Sequence, residues 1–483
     1  MTGRFDAGHS PSTDPYSPQL RTALVLTGTG TAGAYHAGAL RALHEAGVKV
    51  DVVAGRGVGA IGALFLAMDG AARLWDDKGF WKSDAVRSFY RWRSAPRIVA
   101  IAIGISVLVV AVPIAAVAAG LIVFPIDFVA KMLGLGATGG LVGAYVRGAQ
   151  AAFAPQALPT WLPRIVLLVL GTAAVVALAD GWTAAARRPR GRFWWRALRE
   201  PLSSSDGVAQ TWRVLWDLVR GAARLAQPPA SELARRYIEL VRDNLGQPGF
   251  RELVLAVHDV DAHRDMIFAL VSESRRRALY RRPTSQAAEV RRAEVFDLAG
   301  TGRDHLVDAI AASWAIPLAT EPHRITFAAD SYWRGETHRA CDRPASLIRL
   351  IDELIDLDVQ QIILVAAAPE SEGPHALGEP RLDGRGRLGE YLQSSEAAIV
   401  RDATTTTAGV RIYTVRPVHN PIGPFDFTGA FDDRSHRTPP LGELMNRGYE
   451  DAYHQFIEPI VGASGERIQR PLIKPGQKDP AYS

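Results

Sequence analysis

Two glycine-rich turns near the start of the chain have residue types and spacing that could do chemistry. The first reads GTGTAG over residues 28–33, and the second reads GRGVG over residues 55–59. Each follows a short apolar run that predicts a strand and precedes a segment whose apolar spacing predicts a helix. Backbone N–H groups in turns of this kind can bind a phosphate or stabilise an oxyanion. The two turns are therefore the first candidates for a functional site.

The first turn on its own fits a dinucleotide-binding fingerprint. Gly28, Gly30 and Gly33 match the pattern G-x-G-x-x-G between a predicted strand and a predicted helix. Asp51 lies near the position of a ribose-binding acid, but it falls inside the strand predicted over residues 48–54 rather than at its end. Dinucleotide binding is therefore kept as an alternative hypothesis.

Together, the two turns resemble the patatin-like phospholipase family. The resemblance rests on residues 24–64, LVLTGTGTAGAYHAGALRALHEAGVKVDVVAGRGVGAIGAL, where the family has its oxyanion loop and its G-x-S-x-G nucleophile elbow. Residues 309–322, AIAASWAIPLATEP, look like the family's Ala-Ser-x-Ala-Ile-Pro stretch. Asp330 follows in FAADSYWRGE, where the family has an Asp-Gly-Gly or Asp-Gly-Ala segment. The three segments come in the family's order.

The resemblance implies both a fold class and an activity. Patatin-like proteins have a three-layer α/β fold with a mostly parallel central sheet. They hydrolyse acyl esters of phospholipids or neutral lipids with a Ser–Asp dyad, and they need no metal and no organic cofactor. The serine attacks the ester, the aspartate activates the serine, and the loop donors stabilise the tetrahedral intermediate. The expected partner is therefore a membrane lipid or another acyl ester.

The chain departs from the family's pattern at all three motifs. The nucleophile position of the elbow is Gly57, which has no side chain to form an acyl-enzyme. In the oxyanion loop, Thr29 replaces the middle glycine and Ala32 replaces the basic residue. Asp330 matches the dyad aspartate, but Ser331 and Tyr332 replace the small residues after it. The candidate site residues are Asp330, the elbow residues Gly55, Arg56, Gly57, Val58 and Gly59, and the loop residues Gly28, Thr29, Gly30, Thr31, Ala32 and Gly33.

Loss of the serine favours a lipid-binding or scaffolding pseudoenzyme over an active hydrolase. Two routes to residual hydrolysis stay open, namely a substitute nucleophile from Thr29 or Thr31 and direct activation of water by Asp330. Arg56, beside the widened turn, is expected to be solvated, with contact to a lipid head group as the alternative.

A long uncharged stretch interrupts the family's motifs. Residues 98–126 contain no Asp, Glu, Lys or Arg, and a bilayer crossing needs about 20 apolar residues. We predict two transmembrane helices, about 98–124 and 160–182, although a buried helix of a soluble domain is the alternative. Arginines before the first span and after the second predict that both outer ends face the cytoplasm. The predicted location is a membrane, with two spans and a cytoplasmic patatin-like domain, in a bacterial inner membrane.

The amino-acid composition excludes some classes of protein and makes others less favoured. The chain has 483 residues, of which 48% are hydrophobic, and this excludes an intrinsically disordered protein. The single cysteine, Cys341, excludes an internal disulfide. A net charge of +5 does not by itself indicate nucleic acid, and no nucleic-acid module is present in the sequence. HDVDAH at 258–263 is more typical of a strand-to-turn segment than of a metal site, and the basic run at 275–282 indicates a solvated face or a contact with anionic lipid.

These observations predict the following organisation. Apolar runs over 22–26, 253–257, 362–366 and 409–415 predict core strands. The predicted segments are a flexible tail over 1–20, a patatin-like domain over 21–90 and 205–460, a membrane insertion over 91–200, and a C-terminal tail over 461–483.

Overall fold

A computed structural model describes most of the chain. The chain divides into two compact units, one formed by residues up to Arg91 and from Ser203 onward, the other by Trp92–Leu202. The described residues are 16–134, 139–152, 154, 162–186, 200–280, 293–370, 383–407 and 409–462. Most of both predicted tails, and the last two positions of the basic run at 275–282, lie outside the described residues. Tyr16, which falls in the predicted N-terminal tail, is buried and packs against Phe456.

The first unit is built on one large sheet. Among the described residues, nine strands form this sheet, and seven of them follow the order β11-β10-β1-β2-β5-β6-β7. Pairing is parallel from β11 to β5 and between β6 and β7, while β5 pairs antiparallel with β6 and β9, and β8 pairs antiparallel with β9. The strands are β1 Thr22–Thr27, β2 Val52–Arg56, β5 Glu252–Asp259, β6 Arg264–Leu270, β7 Val295–Asp297, β8 His323–Thr326, β9 Thr337–Cys341, β10 Gln361–Ala366 and β11 Arg411–Val415. Two short strands, β3 Arg91–Trp92 and β4 Leu202–Ser203, form a separate two-stranded sheet.

The central strands are apolar runs because both of their faces are covered. Every residue of β1 and β10 is buried. Their parallel register pairs Thr27 with Ala366, and β1 also pairs Leu26 with Gly55 of β2. The carboxyl ends of β1, β2 and β10 therefore meet at one edge of the sheet, where α/β folds place their ligands. The α/β class and the mostly parallel sheet are thus confirmed.

Helices cover the sheet. One close helix pair depends on glycine, since a Cβ at Gly38 would collide with the carbonyl of Met445 and one at Gly448 with the carbonyl of Tyr35. The described helices of this unit are α1 Ala32–Glu45, α2 Gly59–Leu66, α3 Ala72–Trp75, α7 Ser205–Arg220, α8 Ala230–Asn244, α9 Glu273–Tyr280, α10 Leu306–Trp314, α11 Ser346–Asp356, α12 Gly384–Thr406 and α13 Leu441–Ala452, which continues as a π-helix over Tyr453–Gly462.

The described part of the second unit contains three apolar helices, α4 Ser94–Met132, α5 Gly139–Ala152 and α6 Leu162–Ala186. Two stretches, Ser94–Met132 and Pro163–Thr183, are long and apolar enough to cross a membrane, by length and composition alone. Large apolar side chains on both stand exposed, such as Leu121 at 74% and Leu168 at 71%. Inside the unit, the Tyr145 hydroxyl donates to the carbonyl of Ala116 at 3.0 Å.

Candidate functional site

The first glycine-rich turn joins β1 to α1 at the carboxyl edge of the sheet. Gly30 has a φ of +60°, and a Cβ there would collide with the carbonyl oxygen of Pro424, so both backbone shape and space require glycine. The Thr31 N–H donates to that same carbonyl at 3.0 Å. The Thr31 hydroxyl donates to the carbonyl of Gly423 at 2.8 Å. This turn is therefore held against the segment that precedes Phe425 rather than left open for a ligand.

The second turn joins β2 to α2 and has the geometry of a nucleophile elbow. Gly57 follows the last residue of β2 with a φ of +52°. A Cβ at Gly57 would collide with the carbonyl oxygen of Gly28 and would lie 2.7 Å from Oδ2 of Asp342. The space that a serine side chain would need is therefore already filled.

One backbone donor of the elbow, the N–H that would stabilise an oxyanion, is also engaged within the protein. In serine hydrolases of this kind, the N–H of the residue after the nucleophile points at the developing oxyanion. Here that N–H belongs to Val58, and it donates to the carbonyl of Gly28 at 3.0 Å. The loop and the elbow are thus hydrogen-bonded to each other across the place where an ester carbonyl would bind.

Arg56 is fully buried beside the elbow, which corrects the expectation that it is solvated. Its Nη1 donates to Oδ1 of Asp342 at 2.7 Å, and its Nη2 forms an ion pair with Glu396 on α12. Its Nε donates to the Thr27 hydroxyl at 2.8 Å, and that hydroxyl donates to Glu396. Both carboxylates are buried as well. One guanidinium therefore joins the ends of β1 and β2 to α12 and to the residue after β9.

The carboxylate beside the elbow is Asp342, not Asp330. The Thr29 hydroxyl donates to Oδ2 of Asp342 at 2.9 Å, so Asp342 contacts both turns. Asp330 lies in the turn between β8 and β9, whereas Asp342 follows the opposite end of β9. A five-residue strand spans about 16 Å at roughly 3.3 Å per residue, and Asp330 is exposed. This placement corrects the expectation that Asp330 lies close to Thr29 and Thr31.

A buried histidine, which the sequence analysis did not single out, lies under the first turn. Burial, together with the nearby Arg56 guanidinium, lowers the pKa of His36 to about 4. Its Nε2 lies 3.0 Å from the carbonyl oxygen of Thr27, so this nitrogen carries the proton and donates. His36 is therefore neutral near pH 7 and its Nε2 is not available as a base.

The space left beside the first turn is small. The cavity there has a volume of about 20 Å³, and a single water molecule needs roughly 10–15 Å³ by the same kind of measure. An acyl chain does not fit in it. Its lining consists of Gly28, Thr29, Thr31, Ala32, Ala367, Ala368, Leu392, Gln393, Glu396, Asn420, Ile422 and Pro424.

The acid of the dinucleotide alternative lies at the wrong edge of the sheet. Asp51 precedes β2, and its Oδ2 accepts the N–H of Thr22 at the start of β1 at 2.9 Å. The glycine turn lies beyond the other ends of these strands. Asp51 therefore braces the amino edge of the sheet, and a ribose-binding role for it does not fit the structure.

Three side chains of the segment 258–263, those of His258, Asp259 and Asp261, have partners on neighbouring strands or turns. Asp259 is buried, and it accepts the N–H of Asp261 at 2.9 Å. Its other oxygen lies 2.6 Å from Nδ1 of His338 on β9. His258 pairs with Asp265 across the hairpin of β5 and β6 at 2.9 Å. His258, Asp259 and Asp261 therefore support the pairing of β5 with β6 and β9.

Comparison with known proteins identifies the class to which this fold and site belong. The sequence profile of the patatin-like phospholipase family matches residues 24–338, which is more than half of the chain. The chain belongs to the patatin-like phospholipase family. By family it is a lipid acyl hydrolase. Patatin-like phospholipases act on lipid substrates, which is consistent with a lipid or acyl ester as the partner.

A solved structure is also similar to this chain. It is that of VipD from Legionella pneumophila, with 13% sequence identity and a TM-score of 0.33 over 92% of this chain and 67% of that chain. A search of curated proteins finds no match.

Proposed function

We propose that this protein is a non-catalytic member of the patatin-like phospholipase family, which binds lipid or scaffolds a partner at a membrane. One observation carries the proposal. The nucleophile position is Gly57, and the carbonyl of Gly28 and the carboxylate of Asp342 occupy the space of the missing side chain. Losing the nucleophile of a serine hydrolase typically lowers kcat by about 10⁶-fold. The engagement of the Val58 N–H removes a second element of the same machinery.

A hydrolase with a substitute nucleophile is the second candidate. The hydrogen bond from the Thr29 hydroxyl to Asp342 favours it, because a hydroxyl beside a carboxylate is the geometry of a nucleophile and its base. Against it, the other oxygen of Asp342 accepts a hydrogen bond from Arg56, so this carboxylate is already held in a buried ion pair. The adjoining cavity is also too small for an acyl ester.

A hydrolysis assay separates the two candidates. We expect the detergent-purified full chain to hydrolyse short-chain esters and phospholipids at the rate of a protein-free blank. The variants Thr29→Ala, Asp342→Asn and Asp330→Asn should give that same rate, because none of these residues would serve catalysis. Wild-type turnover that disappears in Thr29→Ala or Asp342→Asn would support the threonine nucleophile instead. Wild-type turnover that disappears in Asp330→Asn would support the hypothesis that Asp330 activates water directly.

We also propose that residues 91–200 are a membrane insertion within a patatin-like domain formed by 21–90 and 205–460. Two features support this proposal, namely the uncharged run over 98–126 and the exposed apolar surface of α4 and α6. A soluble protein rarely exposes apolar patches of this extent. Arg87, Arg91, Arg93 and Arg97 precede α4 or lie in its first turn, which supports a cytoplasmic start. The two spans would then return the chain to the same side.

Cysteine labelling tests this topology, because the single native cysteine is not expected to react with the label. Burial raises the pKa of the Cys341 thiol to about 12, so it should not react with maleimides. In intact bacterial cells, we expect a membrane-impermeant maleimide to label Gln150→Cys, at the exposed end of α5. It should label Asp243→Cys, exposed on α8, only after the cells are permeabilised. Equal labelling of both variants in intact cells, or release of the protein by alkaline carbonate, would contradict the two-span anchor.

A further inference from the structure

A wide groove lies in the first unit around the turn between β8 and β9. Its volume is about 1150 Å³, far larger than the cavity beside Gly28. The turn that forms one wall is held in shape by backbone hydrogen bonds, including Phe327 N–H to the carbonyl of Glu336 and Gly335 N–H to the carbonyl of Ala328. A hydrogen-bonded wall of this kind is preorganised for a ligand. The groove is separate from the elbow, because Asp330 and Asp342 lie at opposite ends of β9.

Aromatic rings form much of this groove. Tyr332 and Trp333 lie edge to face, with ring centroids 5.3 Å apart and an interplanar angle of 88°. Trp333 is fixed by its Nε1–H, which donates to the carbonyl of Ala293 at 3.1 Å. Phe327 stacks behind it on Phe296, with centroids 5.3 Å apart. Tyr332 is 47% exposed, so its ring is available to a ligand.

Acidic groups dominate the charged lining. Among the described residues that line it, the groove contains the carboxylates of Asp297, Asp330 and Glu336, the imidazole of His305 and one guanidinium, that of Arg334. Asp297 is paired with Arg276, and Glu336 contacts His338. Within the described part of the chain, Asp330 is exposed and forms no ion pair. One free carboxylate thus lies two residues from an exposed aromatic ring on the same rigid turn.

We propose that this groove binds an ammonium cation of the quaternary type that choline carries. Such a cation is attracted to the faces of Tyr and Trp rings, and a neighbouring carboxylate adds direct charge pairing. Tyr332, Trp333 and Asp330 supply these groups. The ammonium group could belong to a zwitterionic lipid head group or to a soluble molecule, and both sources share this chemistry. The site does not rest on the loss of hydrolysis, since none of its residues lies at the elbow.

Titration of the detergent-purified full chain with choline chloride, followed by ligand-detected NMR, tests the proposal. We expect saturable binding that weakens at least tenfold in Tyr332→Ala and several-fold in Asp330→Asn. Both residues are exposed, so the variants should fold. Tyr391→Ala and Asp433→Asn, which change an exposed tyrosine and an exposed aspartate outside the groove, should bind choline like the wild type. The neutral analogue 3,3-dimethylbutan-1-ol, of similar shape, should bind much more weakly.

Three results would overturn the proposal, namely no saturable choline binding, equal binding of the neutral analogue, or unchanged binding in Tyr332→Ala. The source of the cation is then distinguished in nanodiscs. If the ligand is a lipid head group, phosphatidylcholine nanodiscs should lower the apparent affinity for soluble choline relative to phosphatidylglycerol nanodiscs, because the head groups compete. If the ligand is soluble, the two affinities should agree. Neither readout depends on ester hydrolysis, so this inference and the proposed function can fail independently.

Discussion

Replacing Arg56 by methionine is expected to lower the free energy of unfolding by about 3–5 kcal/mol. The substitution removes the only guanidinium that contacts both Asp342 and Glu396 among the described residues, and it leaves these two buried carboxylates without their counter-charge. Removing one partner of a buried ion pair is costly because the charge that stays behind is neither solvated nor paired. Thermal and urea unfolding of the detergent-purified chain, followed by circular dichroism, measures the effect.

Two further variants decide whether the network itself is responsible. Arg437→Met breaks an exposed ion pair with Glu443, at 2.7 Å, and should change stability by only about 0.5 kcal/mol. The triple variant Arg56→Met, Asp342→Asn and Glu396→Gln removes all three charges and should recover part of the stability lost in the single variant. If Arg56→Met is as stable as Arg437→Met, the buried ion-pair network does not hold the elbow closed.

The parallel core was predictable because each of its strands can be recognised from its own residues. The strand predicted over 362–366 is observed as Gln361–Ala366, and the one predicted over 22–26 as Thr22–Thr27. Such strands are covered on both faces, so they appear in the sequence as unbroken apolar runs. The glycine turns were predictable as well. Gly30 and Gly57 have a positive φ, which favours glycine, and glycines at these positions can be recognised directly in the sequence.

The partners of Arg56 were not predictable in the same way. An arginine in a short motif is normally solvated, and only its neighbours in space can reverse that expectation. Those neighbours are Asp342, 286 residues away in the chain, and Glu396 on a later helix. No local pattern connects them to the elbow.

The position of Asp330 illustrates the limit of reading a motif by its order in the chain. It follows the Ala-Ile-Pro stretch as the family's aspartate does, yet the hairpin of β8 and β9 carries it to the end of β9 that lies away from the elbow. The order of motifs along the chain does not show which carboxylate lies near the elbow. That depends on the length of the hairpin that carries the two aspartates. The eleven residues between Asp330 and Asp342 are enough to place Asp342, rather than Asp330, beside the elbow.

Restoring the serine is expected to yield neither hydrolysis nor a stable elbow. Gly57→Ser places a Cβ against the carbonyl of Gly28 and 2.7 Å from Oδ2 of Asp342, so the loop and the elbow must separate to admit it. Forcing extra atoms into a packed site typically costs about 1–3 kcal/mol. A Cβ at a φ of +52° adds backbone strain of about 1–2 kcal/mol. The measurements are phospholipid hydrolysis and the midpoint of urea unfolding.

Gly47→Ser is the matched control for this experiment. Gly47 has a φ of +63°, but a Cβ there meets no atom within 4 Å, so the substitution brings the same backbone strain without the collision. The loss of stability in Gly57→Ser beyond that in Gly47→Ser therefore measures the closure of the site, and we expect about 1–3 kcal/mol. Should Gly57→Ser instead gain phospholipase activity at little cost in stability, the loop must open readily. The protein would then be a hydrolase that lacks only its nucleophile, because a site closed by Gly28 and Asp342 cannot accept both a serine and an ester.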